Sequence, residues 1–117
     1  MNKREIGEAY EAAAALFLEK KGVHILERNF RCRQGEIDLI GREGEYLVFF
    51  EVKYRKDGFS GLPEEAVGYA KQKRICRAAK YYLYRKHLGE SVPVRFDVVA
   101  VCAERINWYQ NAFDYVE

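Results

Sequence analysis

The run Tyr46-Leu47-Val48-Phe49-Phe50-Glu51-Val52-Lys53 constrains the fold more than any other stretch of this chain. Its first five residues are apolar on both faces, so the strand they form needs cover on each side and belongs at the centre of a sheet, between helices. Glu51 and Lys53 then stand charged in the same strand. Just upstream, Gly35-Glu36-Ile37-Asp38-Leu39-Ile40 sets two more acids into an apolar strand. Alternation puts Glu36 with Asp38, and Glu51 with Lys53 on the next strand, so that four polar groups can share one site. A buried charge without a partner is costly enough that it must be paired, neutralised or given a metal. Two carboxylates beside a lysine can hold a hard cation such as magnesium, with the lysine over a water or a phosphate. The competing reading makes Glu51 and Lys53 an ordinary ion pair balanced by Asp38. A buried ion pair is a weak source of stability, which counts against it.

The other elements follow from periodicity and chain breakers. Ile6, Tyr10, Ala14, Phe17 and Leu18 recur at helical spacing over residues 4–21, and Gly22 follows as a stop. Glu11 borders the buried stripe of that helix, whereas Glu8 projects further toward solvent, so Glu11 is the candidate for the site. Strands are expected at 23–30, 35–42 and 45–54, with a tight turn at Arg42-Glu43-Gly44-Glu45, which makes a meander. Asp57 to Gly61 reads as a loop. Pro63, Glu64 and Glu65 suit a helix start; that helix is expected to run to His87 before Gly89, with Gly68 as an early break. Lys71, Ile75, Ala78, Ala79 and Tyr82 share one side, which brings Lys71 within reach of the acids while Lys73, Arg77 and Lys80 face outward. Pro93 opens a doubly buried strand at 94–102, expected beside the third strand. A short strand near Ile106-Asn107-Trp108-Tyr109 and a tail around Ala112-Phe113 close the chain.

At 117 residues the chain is expected to be one domain, residues 1–117. A composition 49% hydrophobic and 32% charged belongs to a globular protein and argues against disorder. Cys32, Cys76 and Cys102 are odd in number and form no CxxC pair, so they read as reduced thiols of a cytoplasmic protein. The start Met1-Asn2-Lys3-Arg4-Glu5 lacks the apolar core of a signal peptide, and no apolar run approaches a membrane span. Net charge is only +2, yet residues 52–86 carry ten Lys or Arg against three acids. A positive segment beside an acidic centre suits a polyanion drawn toward a metal, although a solvated helix face explains the charges equally well.

The order of elements, together with Gly7-x3-Glu11-x2-Ala14-x3-Leu18-x3-Gly22, Asn29, Gly35-Glu36-Ile37-Asp38-Leu39-Ile40, Val48-Phe49-Phe50-Glu51-Val52-Lys53-x-Arg55, Ala66-Val67-x3-Lys71 and Arg95-Phe96-Asp97-Val98-Val99, resembles the bacterial YraN family across nearly the whole chain. Its core motif resembles the PD-(D/E)XK nucleases, which include archaeal Holliday junction resolvases. Ile37 stands where the superfamily's name has proline, a position that varies widely among these enzymes. The resemblance implies an α/β, restriction-endonuclease-like αβββαβ core in three layers, a central mixed sheet flanked by helices. It implies Glu11, Asp38, Glu51 and Lys53 as catalytic residues, and Mg²⁺ or Mn²⁺ held by Asp38, Glu51 and the carbonyl of Val52. The expected reaction is phosphodiester hydrolysis in DNA rather than RNA, with branched or junction DNA as substrate, and Lys53 orienting the attacking water. Arg55, Lys71, Lys73, Arg74 and Arg77 are expected to contact flanking phosphates without reading sequence. By analogy with enzymes that cut two strands, a homodimer is expected. The alternative is a nucleic-acid-binding module with the same fold and little turnover; a protein-interaction scaffold is a third class.

Other polar residues carry less. Glu36 fits either a supporting acid or a strand-end salt bridge, and Asp97 beside Arg95 reads as a structural network. His24 and His87 have no partner at a useful spacing. Tyr82 reads as core, while Tyr54 and Phe59 are candidates for touching a nucleotide.

Overall fold

Chain entry is fixed by a cap. In the computed structural model, which describes residues 2–55, 67–89, 91–102 and 105–117, the Asn2 side chain accepts the Glu5 N–H at 2.9 Å and starts helix α1, Lys3–Lys20. Ala14, Ala15 and Leu18 are its buried residues. Ile6, placed in the same stripe by spacing, is 37% exposed.

Strands β1 (His24–Cys32), β2 (Gly35–Glu43) and β3 (Tyr46–Tyr54) form the expected antiparallel meander. Gly44 makes the two-residue turn between β2 and β3 with φ of 58°, a conformation that glycine adopts without cost. After α2 (Tyr69–Arg85), β4 (Val94–Val101) lies parallel to β3, and β5 (Ile106–Phe113) closes the sheet in the order β1-β2-β3-β4-β5. A helix between two parallel neighbours is the usual way to make that crossover. The expected loop at 57–61, with Phe59, and the expected helix start at Pro63, Glu64 and Glu65 lie outside the described residues.

The sheet separates two cores. On the α2 face, Ile37, Ile40, Leu47, Phe49, Phe96 and Val98 pack against Ile75, Cys76, Ala78, Ala79 and Tyr82. On the α1 face, Leu39, Val48, Phe50, Val99 and Val101 pack against Ala14, Ala15 and Leu18. β3 supplies both, which is why it is apolar on both sides; burying each of its large side chains contributes ~2 kcal/mol. This is the three-layer α/β arrangement of a restriction-endonuclease-like core: a mixed five-stranded sheet between two helices. Gly41 is buried because the strands close tightly over it. A Cβ there would lie 2.8 Å from Val23 Cγ1 and 3.0 Å from the His24 carbonyl.

Three expectations change. The second helix ends at Arg85, not His87, since His87 takes a left-handed φ of 55° and the chain turns there, with Leu88 N–H donating to the Leu83 carbonyl at 3.0 Å. The last strand runs through Ala112 and Phe113 instead of ending near Tyr109. Its polar Gln110-Asn111 is a bulge: Asn111 has φ 53°, and its N–H donates to Asp97 Oδ1 at 2.8 Å. Finally, Glu36 and Asp38 do not share a face, as the site geometry explains below. Cys32, Cys76 and Cys102 are free thiols, and among the described residues no helix is long and apolar enough to cross a membrane.

Candidate active site

The site is made where a ladder ends. β2 and β3 pair from Glu43↔Tyr46 as far as Leu39↔Phe50 and no further. Beyond that point the Val52 N–H, which continued pairing would turn to the β2 backbone, donates at 2.8 Å to Asp38 Oδ2. The side chain has taken the place of the strand. On the other side of β2, Asn29 falls between the pairs Arg28↔Leu39 and Phe30↔Ile37, opposite Asp38, with a left-handed φ of 53°. Asparagine tolerates that conformation better than most residues. The distortion breaks the two-residue period: Ile37 joins the core under α2 while Leu39 joins the core under α1. Asp38 is thereby turned to Glu51. Glu36 is left on the surface, 3.2 Å from Arg31 in an exposed ion pair, which settles it as a strand-end salt bridge.

Glu51 is 5% exposed. From α2, Lys71 reaches it, Nζ to Oε1 at 2.9 Å, with the lysine side chain still 38% exposed. Lys53, two residues along β3 from Glu51, is half-buried beside Lys71. Glu11 enters from α1 on the acidic side of the cluster. Its Oε1 is buried and has no hydrogen-bond partner among the described residues, and it feels the charges of Glu36 and Glu51.

These contacts move the proton affinities apart. Burial, then the negative charge of Glu51, pushes the Asp38 carboxyl up to about 8, although the Val52 N–H pulls the other way. Burial also raises Glu11, helped by Glu36 and Glu51. Lys53 is lowered, first by burial, with Glu51 opposing and Lys71 assisting. For Lys71 burial opposes the charge, but the hydrogen bond and charge of Glu51 outweigh it and the ammonium is held more firmly. Two lysines side by side with opposite shifts are suited to different tasks.

A divalent cation fits this donor set in part. Asp38 and Glu51 are hard oxygen donors pressed together at a cost that a cation would relieve, and Glu11 has an orphaned oxygen nearby. Among the described residues no three His, Cys, Asp or Glu side chains already stand as a ready ligand cluster. Two carboxylates suffice for magnesium, which keeps several of its waters.

Of the residues expected at phosphates, Arg74 and Arg77 are exposed on α2. Lys73 lies over the Tyr69 ring, 5.6 Å from its centroid. Arg55 donates to the Tyr54 carbonyl at 2.9 Å. Tyr54 stacks on Tyr10 at 4.2 Å, a contact the spacing did not reveal; its signal was an aromatic residue beside each of Glu11 and Lys53. Asp97 is a separate, structural centre. Fully buried, it accepts from Arg95, from Trp108 Nε1 at 2.9 Å and from Asn111, and Arg95 continues to Glu43 at 2.7 Å. A cavity of about 620 Å³ lies away from the acids, between Leu83 and Tyr84 of α2 and Phe96 and Phe113 of the sheet.

The model of the family described as uncharacterised protein family UPF0102 matches residues 10–101, a span that takes in Glu11, Asp38, Glu51, Lys53 and Lys71. A UPF0102 protein of Lachnoclostridium phytofermentans is 53% identical over 114 residues, which cover 97% of each chain. One from Marinobacter nauticus is 46% identical over 114 residues, 93% of this chain and 92% of its own. The UPF0102 protein YraN of Salmonella typhi is 40% identical over 115 residues, 97% of this chain and 88% of its own.

Proposed function

The chain belongs to the UPF0102 family, and we propose that it is a cytoplasmic, Mg²⁺- or Mn²⁺-dependent endonuclease-like hydrolase that cuts phosphodiester bonds in DNA, branched or junction DNA above all. The observation that carries this reading is the pairing of Asp38 with Glu51 at the end of the β2–β3 ladder, with Lys53 and Lys71 beside it. Two acids forced together at the expense of stability make sense if a cation is to be bound.

When bound, a divalent cation supplies Lewis-acid polarisation of the scissile phosphate and of a coordinated water. Asp38 and Glu51 would hold it, with the Val52 carbonyl as a further oxygen, and Glu11, whose Oε1 has no partner among the described residues, would support the ion or its water. Lys53 orients the attacking water and steadies the charge that develops on the phosphate oxygens. Burial lowers its pKa, which makes its ammonium a readier proton donor than that of an exposed lysine. Arg55, Lys73, Arg74 and Arg77 line the approach and neutralise neighbouring phosphates, a contact that is independent of sequence and sensitive to salt. Cutting two strands of a junction needs two such sites, hence a homodimer.

The second reading, a nucleic-acid-binding module with little turnover, is favoured by the Lys71–Glu51 bond, which already neutralises one of the acids. Incubation with single-stranded, duplex and four-way-junction DNA in the presence of Mg²⁺ or Mn²⁺ separates the two. Metal-dependent cleavage lost in Lys53→Ala supports hydrolysis; tight junction binding that needs no metal and gives no product supports the module.

A further inference from the structure

We infer that Lys71 is the resting occupant of the cation site: its ammonium stands in for the metal on Glu51 and must leave that carboxylate before a divalent ion can bind. This rests on the cation-binding part of the proposed function, not on cleavage.

Lys71 Nζ lies 2.9 Å from Glu51 Oε1, a direct charge-assisted hydrogen bond on the side chain that a metal would need. Glu51 is almost fully buried, so it cannot be left bare when the metal is absent; the protein must keep a cation on it. Lys53 shares its strand and β-face but is half-buried, with its charged form disfavoured by burial, and the partner actually bonded to Glu51 comes from α2. Lys71 also has open solvent on one side. Its side chain is 38% exposed, and Glu51 is the only carboxylate with which it forms an ion pair among the described residues. It begins from the first turn of α2, after a Gly68 N-cap that makes no side-chain capping bond. A flexible four-carbon stem at a helix start can swing its ammonium out without disturbing Ile75, Cys76 or Ala78, which hold the helix to the sheet. Displaced, the ammonium remains at the rim, beside the approach of a phosphate. Lys71 is therefore a positioning residue that holds Glu51 in place, and it competes with the metal.

Competition has a signature that a purely structural lysine lacks. Removing Lys71 should tighten metal binding, because the ion no longer displaces a bonded cation; a partly screened pair at this distance corresponds to roughly tenfold in affinity. The test is calorimetric titration of Mn²⁺, without nucleic acid, into wild type, Lys71→Met, Lys71→Gln, Lys71→Arg and Lys73→Met. Lys71→Gln keeps a hydrogen-bond donor for Glu51 and covers the case in which Lys71→Met does not fold. The expected result is tightening of roughly tenfold in Lys71→Met or Lys71→Gln, near-wild-type affinity in Lys71→Arg, and a far smaller change in Lys73→Met, which removes a charge of the same helix that is not bonded to Glu51. Metal binding by the neutral variants alone, with none by wild type, would also support the inference. Equal or weaker binding in the neutral variants overturns it while leaving the cation site intact. Absence of Mn²⁺ uptake in every variant overturns both it and the cation site.

Discussion

Asp38→Asn should make the metal-free protein more stable, and by an amount that grows with pH. In the unfolded chain a carboxyl of this type gives up its proton near 3.8, whereas in the folded protein Asp38 holds it to about 8. The folded state therefore binds more protons between those values, and wild-type stability falls as pH rises through that window, at ~1.4 kcal/mol for each pH unit crossed. The fall is complete above pH 8 and sets a ceiling of about 6 kcal/mol. Because burial, which the variant does not relieve, is the first cause of the shift and the charge of Glu51 only the second, the substitution recovers only part of this, about 2–3 kcal/mol at pH 8. Asparagine keeps an oxygen for the Val52 N–H, now 2.8 Å from Asp38 Oδ2, and offers its amide to Glu51 where the Asp38 proton was. For a chain of this length the gain corresponds to roughly 8–12 °C in Tm. Thermal melts of both proteins in chelator at pH 5, 6, 7 and 8 measure it. The gap should be small at pH 5 and widest at pH 8. A variant that melts at or below wild type at pH 8, with no widening of the gap, would refute the idea that Asp38 is held under electrostatic strain and would make it a structural ion-pair member.

Other outcomes follow from the same geometry. Asp97→Ala strands the nearly buried Arg95 and the Trp108 N–H, and should lower stability by about 3–5 kcal/mol in urea denaturation, whereas Trp108→Phe, which removes one donor, should cost about 1–2 kcal/mol. Gly41→Ala drives a methyl against Val23 and the His24 carbonyl and should cost about 2–3 kcal/mol, read from the same denaturation curves. In chelator, Lys71→Met should lose about 1–2 kcal/mol, a figure already reduced for solvent screening of the half-exposed lysine. Added Mn²⁺ should restore more of the melting temperature in that variant than it adds to wild type.

Much of the architecture was legible in the chain because hydrophobic pattern and turn chemistry agree. Tyr46 to Val52 could only be a strand covered on both sides, and the parallel β3–β4 pairing follows from a helix between two such strands. Family membership was legible in the spaced motifs, and the relatives bear it out. Lys71 was placed near the acids by helical spacing alone, and its bond to Glu51 matches that placement. What the pattern could not convey were departures from regularity. Strict alternation put Glu36 beside Asp38, but the kink opposite Asn29 separates them. The β5 bulge at Asn111 hid two further strand residues, Ala112 and Phe113, behind a polar pair, because its purpose, a hydrogen bond to Asp97, lies in another strand. The α2 terminus is expected at His87, with Gly89 as the stop, yet the helix ends at Arg85 because His87 itself takes the left-handed turn. In each case an Asn or His in the left-handed region did what sequence reading reserves for glycine.

We propose that Asp38 and Glu51 are kept together to hold a cation. The most direct test is calorimetric titration of Mg²⁺ and Mn²⁺ into wild type and Asp38→Asn at pH 7, run in two buffers of different ionisation enthalpy. Wild type should take up the metal and release about one proton per ion, because binding displaces the proton that Asp38 holds at this pH, and Asp38→Asn should take up none. Uptake unchanged in Asp38→Asn, or no uptake by wild type and none by Lys71→Met either, would contradict it.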